Sequence, residues 1–241
     1  MDINQVKISR ADIEAGLPLK TWWAMLLVLP VSVRVIQFVV NRTNLSPNLI
    51  TLLGLVLRLV TAALFLSAGR IELVAGALCY VAAYVCDCTD GAVARLTGKT
   101  SEFGRYLDHI SDLLADILIL LALAWSQDLI SAPWIWAMVF MHVAECYISY
   151  LCGFVLKTHE GGLSHFILFR WFNHYRSWFF ERNLKSFFSF PDYTALVFVV
   201  FPLLGLPLLG LQVGFFFLLI IVLYTVKSTF VSIHTDVKLF P

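Results

Sequence analysis

Two apolar runs, Leu73–Cys86 and Leu113–Trp125, are separated by a stretch that carries four aspartates, Asp87, Asp90, Asp108 and Asp112. Ionisable groups at membrane depth are costly and by default mark a functional site. On helices, Asp87 and Asp90 are three residues apart and Asp108 and Asp112 four apart, so each pair shares a face. Between the pairs, residues Leu96–Phe103, with Gly98, Thr100 and Ser101, read as a turn that lets the two helices run antiparallel. Both acidic faces then converge near the membrane surface. Helix capping accounts for one aspartate in such a place, but poorly for four. Four carboxylates at contact distance oppose each other's ionisation unless cations sit among them. The expectation is therefore a divalent metal or a pair of them, and hard oxygen ligands suit Mg²⁺ or Mn²⁺.

Composition places this stretch in a membrane protein. The 241 residues are 60% hydrophobic and only 14% charged, with a mean hydropathy of +0.84. A soluble domain of this length needs more polar surface, so the chain reads as an all-α, polytopic membrane protein. Six transmembrane helices are expected: about Pro47–Ala68, Leu73–Arg95, Gly104–Trp125, Trp134–Leu156, Tyr193–Leu206 and Leu211–His234. Ser46 is placed to cap the first, with Pro47 at its first helical position. Residues 1–20 are polar and lack a signal-peptide pattern. Trp22–Val40 is apolar but interrupted by Pro30 and Arg34. It reads as an amphipathic helix lying in the interface in preference to a span, with Trp22 and Trp23 at headgroup level and Arg34, Gln37 and Asn41 on its polar side. The domain division is residues 1–46, a cytosolic N-terminus with a juxtamembrane helix, and residues 47–241, a six-helix transmembrane catalytic domain.

Charge placement sets the expected orientation. Of the 17 Lys and Arg, Arg58 lies mid-span and only Arg70 falls on the face reached after spans one, three and five. The positive-inside bias makes the opposite face cytoplasmic, with both termini and the Asp motif on it, in a bacterial inner membrane or an equivalent endomembrane. Arg58, about 15 Å deep at helical rise, must find an anion within the protein. Asp116 extends the acidic face of the third span inward, and His142, Glu145 and Ser149 share a face of the fourth. Arg58, Asp116, His142 and Glu145 are thus expected to form a buried ion cluster or the pocket of an acceptor substrate. Residues 166–190 interleave aromatics with bases, as in Arg170-Trp-Phe-Asn-His-Tyr-Arg176. Beside a membrane this suits the anionic headgroup layer better than nucleic acid. Cys86 and Cys88 flank Asp87, but the neighbourhood lacks the further ligands of a thiolate metal site, so the five cysteines read as reduced packing residues.

The stretch Asp87-x-x-Asp90-Gly91-x-x-Ala94-Arg95-x8-Gly104-x3-Asp108-x3-Asp112 resembles the signature of the CDP-alcohol phosphotransferase (CDP-alcohol phosphatidyltransferase) family at every fixed position. At roughly one in twenty per position, a chance match is on the order of 10⁻¹⁰ per starting point. The resemblance implies a membrane transferase of phospholipid biosynthesis. It moves the phospho-alcohol group of a CDP-alcohol, taken as CDP-diacylglycerol, to the hydroxyl of a second alcohol and releases CMP. It further implies metal ligation by Asp87, Asp90, Asp108 and Asp112, two Mg²⁺ or Mn²⁺ ions, and Asp112 as general base. The CDP-donor site would be lined by Asn48, Gly91, Ala94, Arg95 and Gly104, in a homodimer of six-span chains embedded in the lipid bilayer, with no nucleic-acid partner.

Two other readings fit parts of the pattern. An Asp-rich membrane prenyltransferase would also bind a prenyl diphosphate through Mg²⁺, but does not require the Gly-x-x-Ala-Arg insertion. A cation- or proton-coupled transporter would spread its acids along a pathway, whereas these cluster at one end of two spans.

Overall fold

The computed structural model of the chain describes residues 13, 21, 23, 24, 28–67, 69–155 and 189–235. Among these the regular elements are all helical. They are α1 (Leu29–Arg42), α2 (Pro47–Ser67), α3 (Arg70–Leu96), α4 (Glu102–Ser126), α5 (Pro133–Val155), α6 (Phe190–Leu204) and α7 (Pro207–Thr235). Four helices have stretches long and apolar enough to cross a membrane: Pro47–Ser67, Arg70–Leu96, Pro133–Leu151 and Pro207–Lys227. The 25-residue α4 has the length but carries Glu102, Arg105, Asp108, Asp112 and Asp116. The apolar helix Phe190–Leu204 is shorter than the roughly 20 residues that cross a bilayer along its normal. The aromatic-basic segment lies outside the described residues apart from Ser189 and Phe190.

Local chemistry explains where the helices begin. Ser46 caps α2 as expected, its Oγ accepting the Leu49 N–H at 3.3 Å. Pro30, expected to interrupt the apolar stretch, stands in the first turn of α1. α6 starts at Phe190, ahead of the expected Tyr193, because Ser189 and Asp192 form a reciprocal capping box. One face of α1 buries Ser32, Val33, Ile36 and Val39. Its apolar members pack on Ile50 of α2 and on Ala92 and Val93 of α3, while Arg34 and Gln37 remain exposed.

α2 organises the rest. It packs along both α3 and α4, which make few close approaches to each other. Beyond them α5 packs on α4 and α7, and α6 on α3 and α7. The larger core cluster joins Phe65, Tyr80, Ile119, Leu123, Met138, Tyr193, Phe198 and Leu211. With little hydrophobic drive between helices in lipid, close packing and interhelical hydrogen bonds hold spans together. Here Thr61 Oγ1 donates to the Gly76 carbonyl at 3.2 Å, joining α2 to α3.

The turn between α3 and α4 is a Schellman motif. The Lys99 N–H donates to the Ala94 carbonyl at 2.9 Å and the Gly98 N–H to the Arg95 carbonyl at 3.4 Å. Gly98 holds φ +66°, and a Cβ built there would meet nothing within 4 Å. Gly98→Ala therefore isolates backbone strain from packing. It is expected to lower unfolding stability in detergent by about 1 kcal/mol, with Gly98→Asn costing less.

Candidate functional site: an acidic cluster between two cavities

The acids come together because α3 ends and α4 begins on the same side of α2. Asp87, Asp108 and Asp112 each offer a carboxylate oxygen within 4.8 Å of the others, and all three are partly buried. Asp108 Oδ1 is buried without a hydrogen-bond partner. Three hard oxygen donors, one of them unsatisfied, suit a divalent cation. Asp90, expected to be the fourth member of the convergence, is not in this set. Its Oδ2 accepts the Thr51 hydroxyl at 2.6 Å, and its Oδ1 accepts the N–H of Gly91. Those two donors turn the carboxylate toward α2.

A cavity of about 530 Å³ opens on one side of the cluster. Its lining brings together all five residues expected at the donor site, Asn48, Gly91, Ala94, Arg95 and Gly104, along with Asp90 and Asp108. The sequence reading did not single out Lys99 and Arg105, which add positive charge to the wall. Ser101, on the same wall, caps α4 by accepting the Gly104 N–H at 3.0 Å. Thr51 was also missed as a functional residue, although it belongs to the Pro-Asn-x-x-Thr opening of α2. Gly104 is required by space. A Cβ there would stand 3.0 Å from both Asn48 Oδ1 and Ser101 Oγ, so any side chain pushes into the cavity wall.

A second cavity, about 240 Å³, lies on the other side. Asp87, Asp112, Asp116, Arg58 and Glu145 line it. Here the expected ion cluster is rearranged. Arg58, only 4% exposed, pairs with Asp112, and its Nε lies 3.9 Å from Asp116 Oδ1. The Tyr80 hydroxyl donates to Asp116 Oδ1 at 3.1 Å. Glu145 instead accepts the Ser149 hydroxyl at 3.0 Å and the Thr225 hydroxyl at 3.3 Å, tying α5 to α7. His142 is fully buried and outside this lining. Its Nε2 is 3.0 Å from the Tyr193 hydroxyl, and its ring stands edge-on to Phe190. His109, also on the wall, lies 3.0 Å from Cys146 Sγ through Nε2. The far wall is Phe190, Pro191 and Thr194 of α6.

Among the described residues, Arg58 is the cation paired with the deep carboxylates. Removing one partner of a buried pair leaves the other charged and desolvated, a loss of about 3–5 kcal/mol. Arg58→Ala is expected to destabilise the folded protein by about 3 kcal/mol or more, read as a lowered unfolding midpoint in detergent. Asp116→Asn in the Arg58→Ala background should restore part of the loss.

A model of the CDP-alcohol phosphatidyltransferase family matches residues 44–233. An archaetidylinositol phosphate synthase of Pyrococcus horikoshii is 39% identical over 81 residues, covering 34% of this chain and 42% of the relative. The chain thus matches less than half the length of that curated relative. The fold is similar to two crystal structures of a phosphatidylinositol phosphate synthase of Mycobacterium tuberculosis. The one with CDP-DAG bound has a TM-score of 0.53 at 21% identity, over 86% of this chain and 94% of that one. The one in complex with manganese and citrate has a TM-score of 0.50 at 18% identity, over 87% and 93%. With the family match covering most of its length and the full Asp motif in place, this chain belongs to the CDP-alcohol phosphatidyltransferase family.

Proposed function

We propose that the protein is an integral membrane transferase of phospholipid biosynthesis that moves the phospho-alcohol group of a CDP-alcohol to the hydroxyl of a second alcohol and releases CMP. The observation that carries this reading is the acidic cluster standing between two cavities of different size, since a transfer between two substrates needs a site for each. The larger cavity takes the CDP moiety, with Asn48, Gly91, Ala94, Arg95 and Gly104 around it and Lys99 and Arg105 facing the negative charge of the diphosphate. The smaller takes the acceptor. At about 240 Å³ and lined by Arg58, Glu145 and Ser149, it suits a small polar alcohol, which leaves the lipid on the donor as in CDP-diacylglycerol.

Asp87, Asp108 and Asp112 would hold divalent metal, with Asp90 contributing once released from Thr51. Mg²⁺ or Mn²⁺, as two ions, would neutralise the diphosphate and stabilise charge that develops on the transferring phosphoryl group. The chain's own residues do the rest. Asp112 lines the acceptor cavity and takes the proton of the acceptor hydroxyl, and Arg58 orients its carboxylate. The acceptor oxygen forms a bond to the phosphorus that carries the donor alcohol. The bond from that phosphorus to the bridging oxygen breaks, and CMP leaves through the larger cavity.

The same reading includes six membrane spans, with α4 and α6 joining the four apolar ones and α1 lying along the interface. It divides the chain into residues 1–46, the N-terminus with its juxtamembrane helix, and residues 47–241, the catalytic domain. It also sets the Asp motif and both termini on the cytoplasmic face and pairs two chains as a homodimer. Arginine and lysine placement supports the orientation.

CMP release from CDP-diacylglycerol in the presence of a panel of small alcohols, including inositol, glycerol phosphate and inositol phosphate, tests the activity. Release with none of them removes the proposal. A chelator is expected to abolish turnover and added Mg²⁺ or Mn²⁺ to restore it. Full activity without divalent ions would exclude the cluster's role.

Asp112 and Asp87 separate two functions. Asp112→Asn should bind the CDP donor nearly as the parent does while single turnover falls by about 10²-fold or more. Asp87→Asn should weaken donor binding and turnover together. A near-parental single-turnover rate in Asp112→Asn would move the base elsewhere, with His109 the next candidate on the same wall.

A further inference from the structure

The smaller cavity is walled on one side by a turn that has its own fastening. Phe190, Pro191 and Thr194 line the cavity from the start of α6. Asp192, in the midst of them, is buried at 8% exposure and lines neither cavity. Its carboxylate is nonetheless fully engaged. Oδ2 accepts the Ser189 N–H at 2.8 Å and the Ser189 hydroxyl at 2.9 Å. Oδ1 accepts the backbone N–H of Trp23 at 3.0 Å, a contact across 169 positions of sequence. A capping box needs only Oδ2. The second oxygen therefore does something that helix initiation does not require.

What it reaches is itself tied to the cavity. Trp23 and Thr21 are buried, and the Thr21 hydroxyl accepts the Ala24 N–H at 3.2 Å. The Thr21 side chain also lies beside that of Tyr84, a residue of α3 that lines the same cavity. Thr21, Trp23 and Ala24 thus stand between two walls, beside Tyr84 of α3 and bonded to Asp192 of the α6 turn. Phe190 stands edge-on to His142 and at 5.6 Å, tilted, to Tyr193. A shift of the turn would carry these rings, and Pro191 with them, relative to Asp112 and Arg58 on the opposite wall.

We infer that Asp192 is a positioning residue that latches the chain at Trp23 to the α6 turn and so sets the width of the acceptor cavity. The inference rests on the reading of that cavity as the acceptor site. It assigns a role in acceptor recognition to a stretch of chain that precedes every predicted span. Asp192 acts through Phe190, Pro191 and Thr194 and touches no reacting atom.

The test uses the full chain in detergent and the alcohol of the panel that gives the fastest CMP release. Asp192→Ala is expected to raise the acceptor KM about tenfold, the scale of one or two buried hydrogen bonds, with kcat and CDP-donor affinity within about twofold of the parent. Trp23→Pro, which deletes the donated N–H, should give the same split. Asp192→Asn, which keeps one acceptor oxygen, should fall between, and it carries the same criterion should the alanine variant fail to fold. An unchanged acceptor KM, or equal losses in kcat and donor affinity, overturns the latch. Ser149→Leu, inside the cavity, separates the two levels. A raised acceptor KM there but not in the Asp192 variants defeats the latch alone, whereas an acceptor KM that neither change moves defeats the acceptor-cavity reading as well.

Discussion

A buried guanidinium on α2 is the interaction on which the arrangement depends. Arg58 is 4% exposed and faces Asp112 and Asp116 on α4. Either acid alone at that depth would be costly, and so would the arginine. Held together, the arginine offsets one of the two negative charges and the Tyr80 hydroxyl donates to Asp116. The pairing also fixes the rotation of α4 against α2. Turning α4 to carry Asp112 away from Arg58 would break the deep pair and pull Asp108 from its place beside Asp87. The same contact that satisfies the interior therefore aims the acidic face.

The position of α2 has a second consequence. Because α3 and α4 both pack along it and approach each other little, their acidic faces meet across a gap and not through a packed seam. The gap is divided by the carboxylates themselves, with Asp90 and Asp108 on the larger cavity and Asp87 and Asp112 on the smaller. A chemistry in which one phosphorus is handed between two alcohols fits such a division. The two partners approach from different sides and meet only at the acids. Geometry of this kind supplies much of the rate in phosphoryl transfer, where positioning and charge neutralisation dominate.

Turn and cap chemistry supports the site from outside. The Schellman motif at Gly98 and the Ser101 cap set the short reversal that brings α4 back beside α3. Thr51, one turn into α2, donates its hydroxyl to Asp90 and ties that acid to α2. At the far end, the capping box of α6 carries an additional bond to the N-terminal segment through Asp192. None of these groups needs to touch a substrate to influence where substrate-facing residues stand.

Periodicity and composition by themselves determined that the chain is helical and membrane-bound, where the main helices lie, and that acids gather at the ends of two of them. Those properties follow from hydropathy and from side-chain spacing along one helix, which are local. The residues expected around the donor came from the family resemblance of the motif, in which Gly91, Ala94 and Arg95 follow Asp90 on α3 and Gly104 precedes Asp108 on α4, and all four line the larger cavity. Only the tertiary structure decided the partners. Spacing could place Arg58, Asp116 and Glu145 at one depth, but not say that Arg58 turns to Asp112 and Asp116 while Glu145 takes Ser149 and Thr225. Nor could it separate Asp90 from the other three acids, because that depends on Thr51 of another helix. The link from Trp23 to Asp192 spans most of the chain and leaves no periodic signal. Which groups meet across helices is set by how the helices rotate and stack, and that information is held jointly by all of them.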